Sequence, residues 1–338
     1  MFFTNYSLLS AAEVDAIVTA QPRALSGVGY CKRLAGKSLK LKLNGEFAPK
    51  QLDYSFADDA KLTVTLNGQT FEAPYAAISL GRITLFTHQI PGSSNAWHIV
   101  YDTATELVTA FETWFGVEVA VGLNLMDPSV PPTGHRSIYR EVQRQWYFGW
   151  NDAGQAAPEK THTFTNRIEG RGLHWKFDSG YEKLTFFPSV ACSTMVDLSD
   201  PHDRGGITCT TPSDYIKIDD EFYIYTSWEV EFSGACSIEI LNFFDLTASG
   251  LRFGIDGNDK IDYCLHKAEL TITGDAAHLE AIGDYGDKSA PMTGGMPGAP
   301  AKKGARYAYR PMDIDPPMTR EEAMEHAKTQ MIFAGGSI

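Results

Sequence analysis

Residues 52–66 read LDYSFADDAKLTVTL, residues 73–90 read APYAAISLGRITLFTHQI, and residues 95–116 read NAWHIVYDTATELVTAFETWFG. The same order of patterns returns as LHWKFDSGYEKLTFF at 173–187, PSDYIKIDDEFYIYTSWEV at 212–230 and ACSIEILNFFDLTASGLRFG at 235–254. Each block carries Tyr-x-x-Ile (Tyr75/Ile78 and Tyr215/Ile218) ahead of an alternating strand. Each closes on an aromatic-Gly pair, Phe115-Gly116 and Phe253-Gly254. A repeat this long is two copies of one β-unit; solenoid repeats are only about 20–50 residues. Function then lies inside, or between, two similar β-structures.

Outward from these blocks the chain is punctuated like a sheet protein. Asn44-Gly45 and Asn67-Gly68 are flanked by strand-like residues, the strongest short-range hairpin signal. Short alternating strands with few helices form up-and-down antiparallel sheets, which close into barrels because closure removes the edges. The expected organisation is an N-terminal helical segment at 1–35, where Ser10 and Glu13 form a capping box. A first barrel follows at 36–125, then a proline-rich linker at 126–137 and a second barrel at 138–273. Residues 274–338 make a Pro/Gly-rich arm ending in a short helix capped by Thr319 and Glu322. The fold class is all-β with short terminal helices.

With 338 residues the chain can build two cores. Its formal net charge of −13 argues against nucleic acid and anionic membrane surfaces, which select basic patches. The five cysteines are scattered without a C-x-x-C pair, so neither a disulfide framework nor a structural zinc site is expected. No apolar run approaches the ~18 residues of a membrane helix, and the N-terminus lacks the features of a secretory signal; the expected compartment is the cytoplasm. There is no G-x-S-x-G elbow, no phosphate loop, and no dinucleotide fingerprint; Gly170-Arg171-Gly172 lacks the strand-to-helix context. No cofactor and no metal are expected.

Side chains alternate across a strand, so each strand offers one face to a barrel interior. Over 222–229, Phe222, Ile224, Thr226 and Trp228 form a core face. Tyr223, Tyr225, Ser227 and Glu229 form a polar stripe that lines either solvent or a polar cavity. Glu239 stands on the next strand opposite in face to Ile238 and Ile240. A carboxyl buried with few partners has its pKa raised, so Glu229 and Glu239 form a candidate acid/base pair. The alternative is one exposed carboxylate and one salt-bridged to Arg252. In the first repeat Arg82, Thr84, Phe86 and His88 share a face, His98 on the following strand can join His88, and His174 beside Trp175 can line the second barrel. The candidate catalytic residues are therefore Glu229, His88, Tyr225, Glu239 and His174. The candidate substrate-binding residues are Trp228, Tyr223, Arg252, Arg82, Tyr75 and His98.

Tyr223-Ile224-Tyr225-x-x-Trp228-Glu229, preceded by His174-Trp175 and followed by Asp245 and Gly254, resembles the C-terminal domain of MoaF-like proteins. Tyr75, Arg82 and Asp102 resemble the N-terminal domain of that family. The resemblance covers roughly 36–273 and implies two tandem lipocalin-like (calycin) barrels. Phe164 and Arg167 depart from it, standing where the family tends to carry His-x-Tyr. The expected function is that of a cofactor-independent lyase or isomerase acting by general acid/base catalysis on a small hydrophobic or aromatic substrate. Two alternatives stand beside it: a carrier or sensor of such a molecule, and a molybdenum-cofactor role implied by the family name alone. The expected partner is a small hydrophobic or aromatic molecule, neither nucleic acid nor membrane, with a homodimer left open.

Overall fold

A computed structural model describes residues 23–24, 30–45, 48–115, 142–152, 154, 156–198, 208–228, 235–255 and 261–275. The expected terminal helices, the 126–137 linker, the arm beyond Asp275 and Glu229 lie outside the described residues.

Arg23–Ala24 (β1) pairs in parallel with the last strand. The first barrel runs β2 (Ser38–Gly45), β3 (Lys50–Phe56), β4 (Lys61–Leu66), β5 (Gln69–Leu80), β6 (Ile83–Gln89), β7 (Ala96–Asp102), β8 (Leu107–Phe115) and β9 (Val142–Asn151). Every neighbour pair is antiparallel, and β9 pairs with both β8 and β2 to close the ring. β10 (Thr163–Phe164) lies against the second barrel, which runs β11 (Arg171–Phe177), β12 (Glu182–Ser189), β13 (Cys192–Asp197), β14 (Thr208–Lys217), β15 (Phe222–Trp228), β16 (Cys236–Asn242), β17 (Thr247–Ile255) and β18 (Ile261–Asp275). The long β18 pairs through its first half with β17 and through its second half with β11, closing a second antiparallel ring. The chain is thus two tandem eight-stranded up-and-down barrels, the lipocalin-like arrangement.

One boundary moves. Val142–Asn151, expected to open the second barrel, instead closes the first. Seven strands through Phe115 leave the edges of β2 and β8 unpaired, and β9 supplies both partners. Asn67-Gly68 makes the expected two-residue hairpin, with φ of 52° and 78° between the paired Leu66 and Gln69. Asn44-Gly45 does not; both residues continue β2 along β9. Gly45 is needed there because a Cβ would fall 2.4 Å from the Tyr147 ring.

Strand alternation sorts the apolar residues into three cores. Leu41, Leu52, Val64, Phe86, Trp97 and Tyr147 belong to the set that fills the first barrel. Leu173, Trp175, Phe187, Tyr215, Tyr225 and Leu270 belong to the set that fills the second. The third core lies between the barrels, where the outer faces of β5–β9 meet those of β14–β18. Ile83, Leu85, Phe111, Ile224, Ile238 and Phe253 are all buried there, each such side chain contributing about 2 kcal/mol relative to exposure. Polar groups cross the same seam: Arg144 Nε–H and Nη2–H donate to Asp214 Oδ2 at 2.9 and 2.6 Å, and its guanidinium lies 3.9 Å over Trp228.

Candidate functional site

In the second barrel Tyr225, Glu239, Gly250 and His266 are successive register partners across β15, β16, β17 and β18. All point inward by alternation with the outward Ile224, Ile238, Leu251 and Leu265. Gly250 makes the arrangement: a Cβ there would sit 1.8 Å from Glu239 Oε2. Without a side chain in between, the Glu239 carboxylate reaches across β17 to His266, with Nε2 at 2.8 Å from Oε1 and 2.9 Å from Oε2. Glu239 is 1% exposed and His266 6%.

Burial pushes the Glu239 carboxyl up, but the charge His266 carries when protonated and its hydrogen bond, with smaller help from Lys183 and Arg252, outweigh it. Its pKa therefore lies below the ordinary carboxylate value. This corrects the expectation of a raised, poorly partnered glutamic acid. An ionised carboxylate can only accept, so Nε2 carries the proton. Among the described residues Nδ1 has no hydrogen bond, and its ring packs on Phe177 at 5.1 Å. Phe177 stacks in turn on Trp175, and the Lys183 ammonium lies 4.8 Å over the Trp175 ring. Tyr225 shares a 2.7 Å hydroxyl bond with Ser193.

Of the two settings the sequence leaves open for the polar stripe of β15, solvent or a cavity, Tyr223 and Tyr225 take the interior one. Trp228 faces the other way, into the seam under Arg144, and does not line the barrel. His174 lies outside the second barrel because its neighbour Trp175 lies inside; its Nε2 pairs with Glu182 at 2.9 Å. Arg252 pairs with Asp262 at 2.5 Å.

The first-barrel residues do not join one site. His88 points inward onto the Tyr54 hydroxyl at 3.0 Å, and burial lowers its pKa to about 4. His98 is on the opposite face of the next strand: its register partner is Thr87, while His88 pairs with Trp97. It bonds Thr87 at 2.6 Å and Thr113 at 2.8 Å within the seam, and burial, with His88 a smaller cause, takes it to about 3. Arg82 precedes β6 and turns to Asp102 at 3.0 Å and to Asp219 of the second barrel, so it fastens the barrels rather than facing a ligand. Tyr75 spends its hydroxyl on the Asp58 carbonyl at 2.8 Å, and burial, with the Asp59 charge next, raises it to about 12.

Sequence reasoning missed His266, Gly250 and Lys183. The signal existed: Asp262, Cys264, His266, Ala268 and Leu270 alternate along one strand face, as do Lys183, Thr185 and Phe187.

No family model matches the chain, and no curated protein matches it. A Burkholderia vietnamiensis protein provisionally described as a beta-lactamase aligns over all of its own chain and 33% of this one, at 13% identity and a TM-score of 0.27. A protein of unknown function from the DUF3598 family, from Nostoc punctiforme, aligns over 96% of its chain and 71% of this one, at 8% identity and a TM-score of 0.32. Neither likeness is close enough to bear on function. Among the described residues no helix is long and apolar enough to cross a membrane.

Proposed function

We propose that the second barrel is the working unit of a cofactor-independent lyase or isomerase that moves a proton on a small hydrophobic or aromatic substrate. His266 is its general base and acid, and Glu239 is the residue that positions it. The observation that carries this reading is the Glu239 carboxylate reaching over Gly250 to His266 inside a closed barrel. A carboxylate on Nε2–H fixes the tautomer, aims the Nδ1 lone pair at a ligand and stabilises the imidazolium that forms. Acid–base catalysis of this kind contributes about 10²–10⁴-fold. The stacked Phe177 and Trp175 offer a flat apolar surface beside the imidazole. Five free thiols fit a reducing compartment, the cytoplasm in this reading. The resemblance to MoaF-like proteins enters as kinship of architecture, without a molybdenum-cofactor step.

The test is incubation of the purified protein with the small-molecule fraction of its host extract, followed by chromatography and mass spectrometry. A compound returned as an isomer or lighter by carbon dioxide, and returned unchanged by His266→Gln, is the expected result. A compound that binds and is never altered would make the chain a carrier instead.

A further inference from the structure

Two fully buried polar side chains on the inward face of the second barrel have no hydrogen-bond partner among the described residues: the Trp175 indole N–H and the Thr185 hydroxyl. They belong to adjacent strands on the inward face. Trp175 is opposite Lys183 in register and Leu173 is opposite Thr185, so the two are diagonal neighbours. Trp175 also touches the dyad's surroundings, with its ring 5.9 Å from Phe177 and 6.1 Å from Tyr225. Leaving two such groups unsatisfied in a core is costly and uncommon. The indole nitrogen can only donate, so the group that completes the pair is an acceptor oxygen.

Charge decides which kind of oxygen. With His266 neutral, the carboxylates of Glu239, Asp197 (opposite Lys183 on β13) and Asp262 outnumber the Lys183 and Arg252 cations. A carboxylate substrate would bring a further anion into the same interior, where uncompensated charge is expensive. A ketone or lactone carbonyl is neutral on entry and becomes anionic only as its enolate forms.

Building on the dyad reading, we infer that the substrate is an enolisable carbonyl compound whose oxygen is held by Trp175 and Thr185. The reaction is then a proton shift next to that carbonyl rather than decarboxylation of a free acid. His266 Nδ1 takes the proton from the α-carbon; the C–H electron pair becomes the C=C bond, and the carbonyl π pair moves onto oxygen. The two donors stabilise that oxyanion; in a β,γ-unsaturated substrate the oxyanion pair then re-forms the C=O bond, the enolate C=C pair shifts to the α,β bond, and the β,γ pair takes the proton back from the imidazolium at the γ-carbon. The product is an isomer, with nothing oxidised and no group lost. Removing one donor of such a pair typically slows turnover about 10²–10³-fold.

The test is calorimetric titration of the full chain with 2-naphthol, whose oxygen imitates the enolate, and with 2-naphthoate, a carboxylate on the same ring system. The expected result is naphthol binding at least about tenfold tighter, with the preference lost in Thr185→Val and reduced in Trp175→Phe. Thr185→Val should also melt no lower than the parent, because an unsatisfied hydroxyl contributes nothing to the folded state. Naphthoate binding as tightly as naphthol, or a preference that survives Thr185→Val, would overturn the carbonyl assignment and leave the dyad standing. A lowered melting temperature for Thr185→Val would also overturn it, by showing the hydroxyl to be a structural partner. Binding of neither probe would overturn the carbonyl assignment together with the second barrel as a ligand site. Turnover of extract compounds that persists in His266→Gln would sink the dyad and the proton shift routed through it, leaving only the carbonyl-holding role of Trp175 and Thr185.

Discussion

The two barrels carry the same ladder and different chemistry on it. Ile83 pairs with Asp102 where Phe222 pairs with Asn242, and the following turns place Glu106 and Leu246 alike at positive φ. Counting from that shared turn, the row Phe86–Ile99–Ala110–Tyr147 in the first barrel matches Tyr225–Glu239–Gly250–His266 in the second. The first row is a packed core rung, and its one hydroxyl goes to Glu112 at 2.9 Å. In the second, shrinking one side chain to glycine lets a carboxylate meet a histidine. A closed barrel tolerates buried charge where one strand gives up its side chain to make room. On that contrast rests the proposal that one copy carries the chemistry and the other is scaffold.

The largest effect expected from this contrast is on acid stability. His88, His98 and His162 are buried and held at about 4, 3 and 4, against an ordinary value of 6.5. The unfolded chain therefore binds the extra protons. Stability is whole above about pH 6.5 and falls as pH drops toward 4, by up to about 4 kcal/mol per pH unit for the three together. Glu239, held low, adds in the same direction below its ordinary value of 4.5. Denaturant titrations of His88→Leu between pH 7 and 4 should show that slope reduced by about a third. An unchanged slope would mean that the folded first barrel already admits the proton.

Gly250→Ala comes next. Its methyl would lie 1.8 Å from Glu239 Oε2 and 2.8 Å from the Ile238 carbonyl oxygen, so it should cost about 3 kcal/mol in urea unfolding. Ala110→Gly, the matching position, should cost only about 1 kcal/mol. Equal losses would erase the distinction between the rows. Arg82→Ala should cost about 2 kcal/mol by removing its charged hydrogen bonds to Asp102 of its own barrel and to Asp219 across the seam; a loss near zero would show that the apolar seam alone holds the barrels. His174→Ala should stay within about 0.5 kcal/mol, since its pair with Glu182 is on the outer surface. A larger loss would call for a structural role that its place outside the barrel does not explain.

Much of this architecture was legible from the sequence pattern: two β-repeats, closure, the Asn67-Gly68 turn and the shared face of Tyr223 and Tyr225, though not which way that face points. The repeat blocks lie out of step: the first sets β3–β4 against β11–β12, one strand early, and the other two are offset by two residues. From the shared turn, Tyr215 aligns with Ala77 and Phe253 with Thr113. An even slip preserves the face of every side chain, so the pattern looked the same. The candidate site was legible only in part. Glu239 and Tyr225 were found because each stands out on its own strand. His266 was not, because its meaning depends on Gly250 two strands from Glu239. Trp228 and His98 were misassigned for one reason: with two barrels in contact, an outward face is as buried as an inward one, and alternation cannot separate them.

The most direct test of the account is to write the first barrel's row into the second. Glu239→Ile with His266→Tyr replaces the buried charged pair by apolar and aromatic groups, an exchange that is often neutral or stabilising. The measurement is conversion of the extract compound by this double variant, with melting temperature as control and His88→Leu as the mirror change. The account predicts a folded double variant with conversion at background, and conversion within about threefold of the parent in His88→Leu. Conversion that survives the double variant, or that vanishes in His88→Leu, would contradict it.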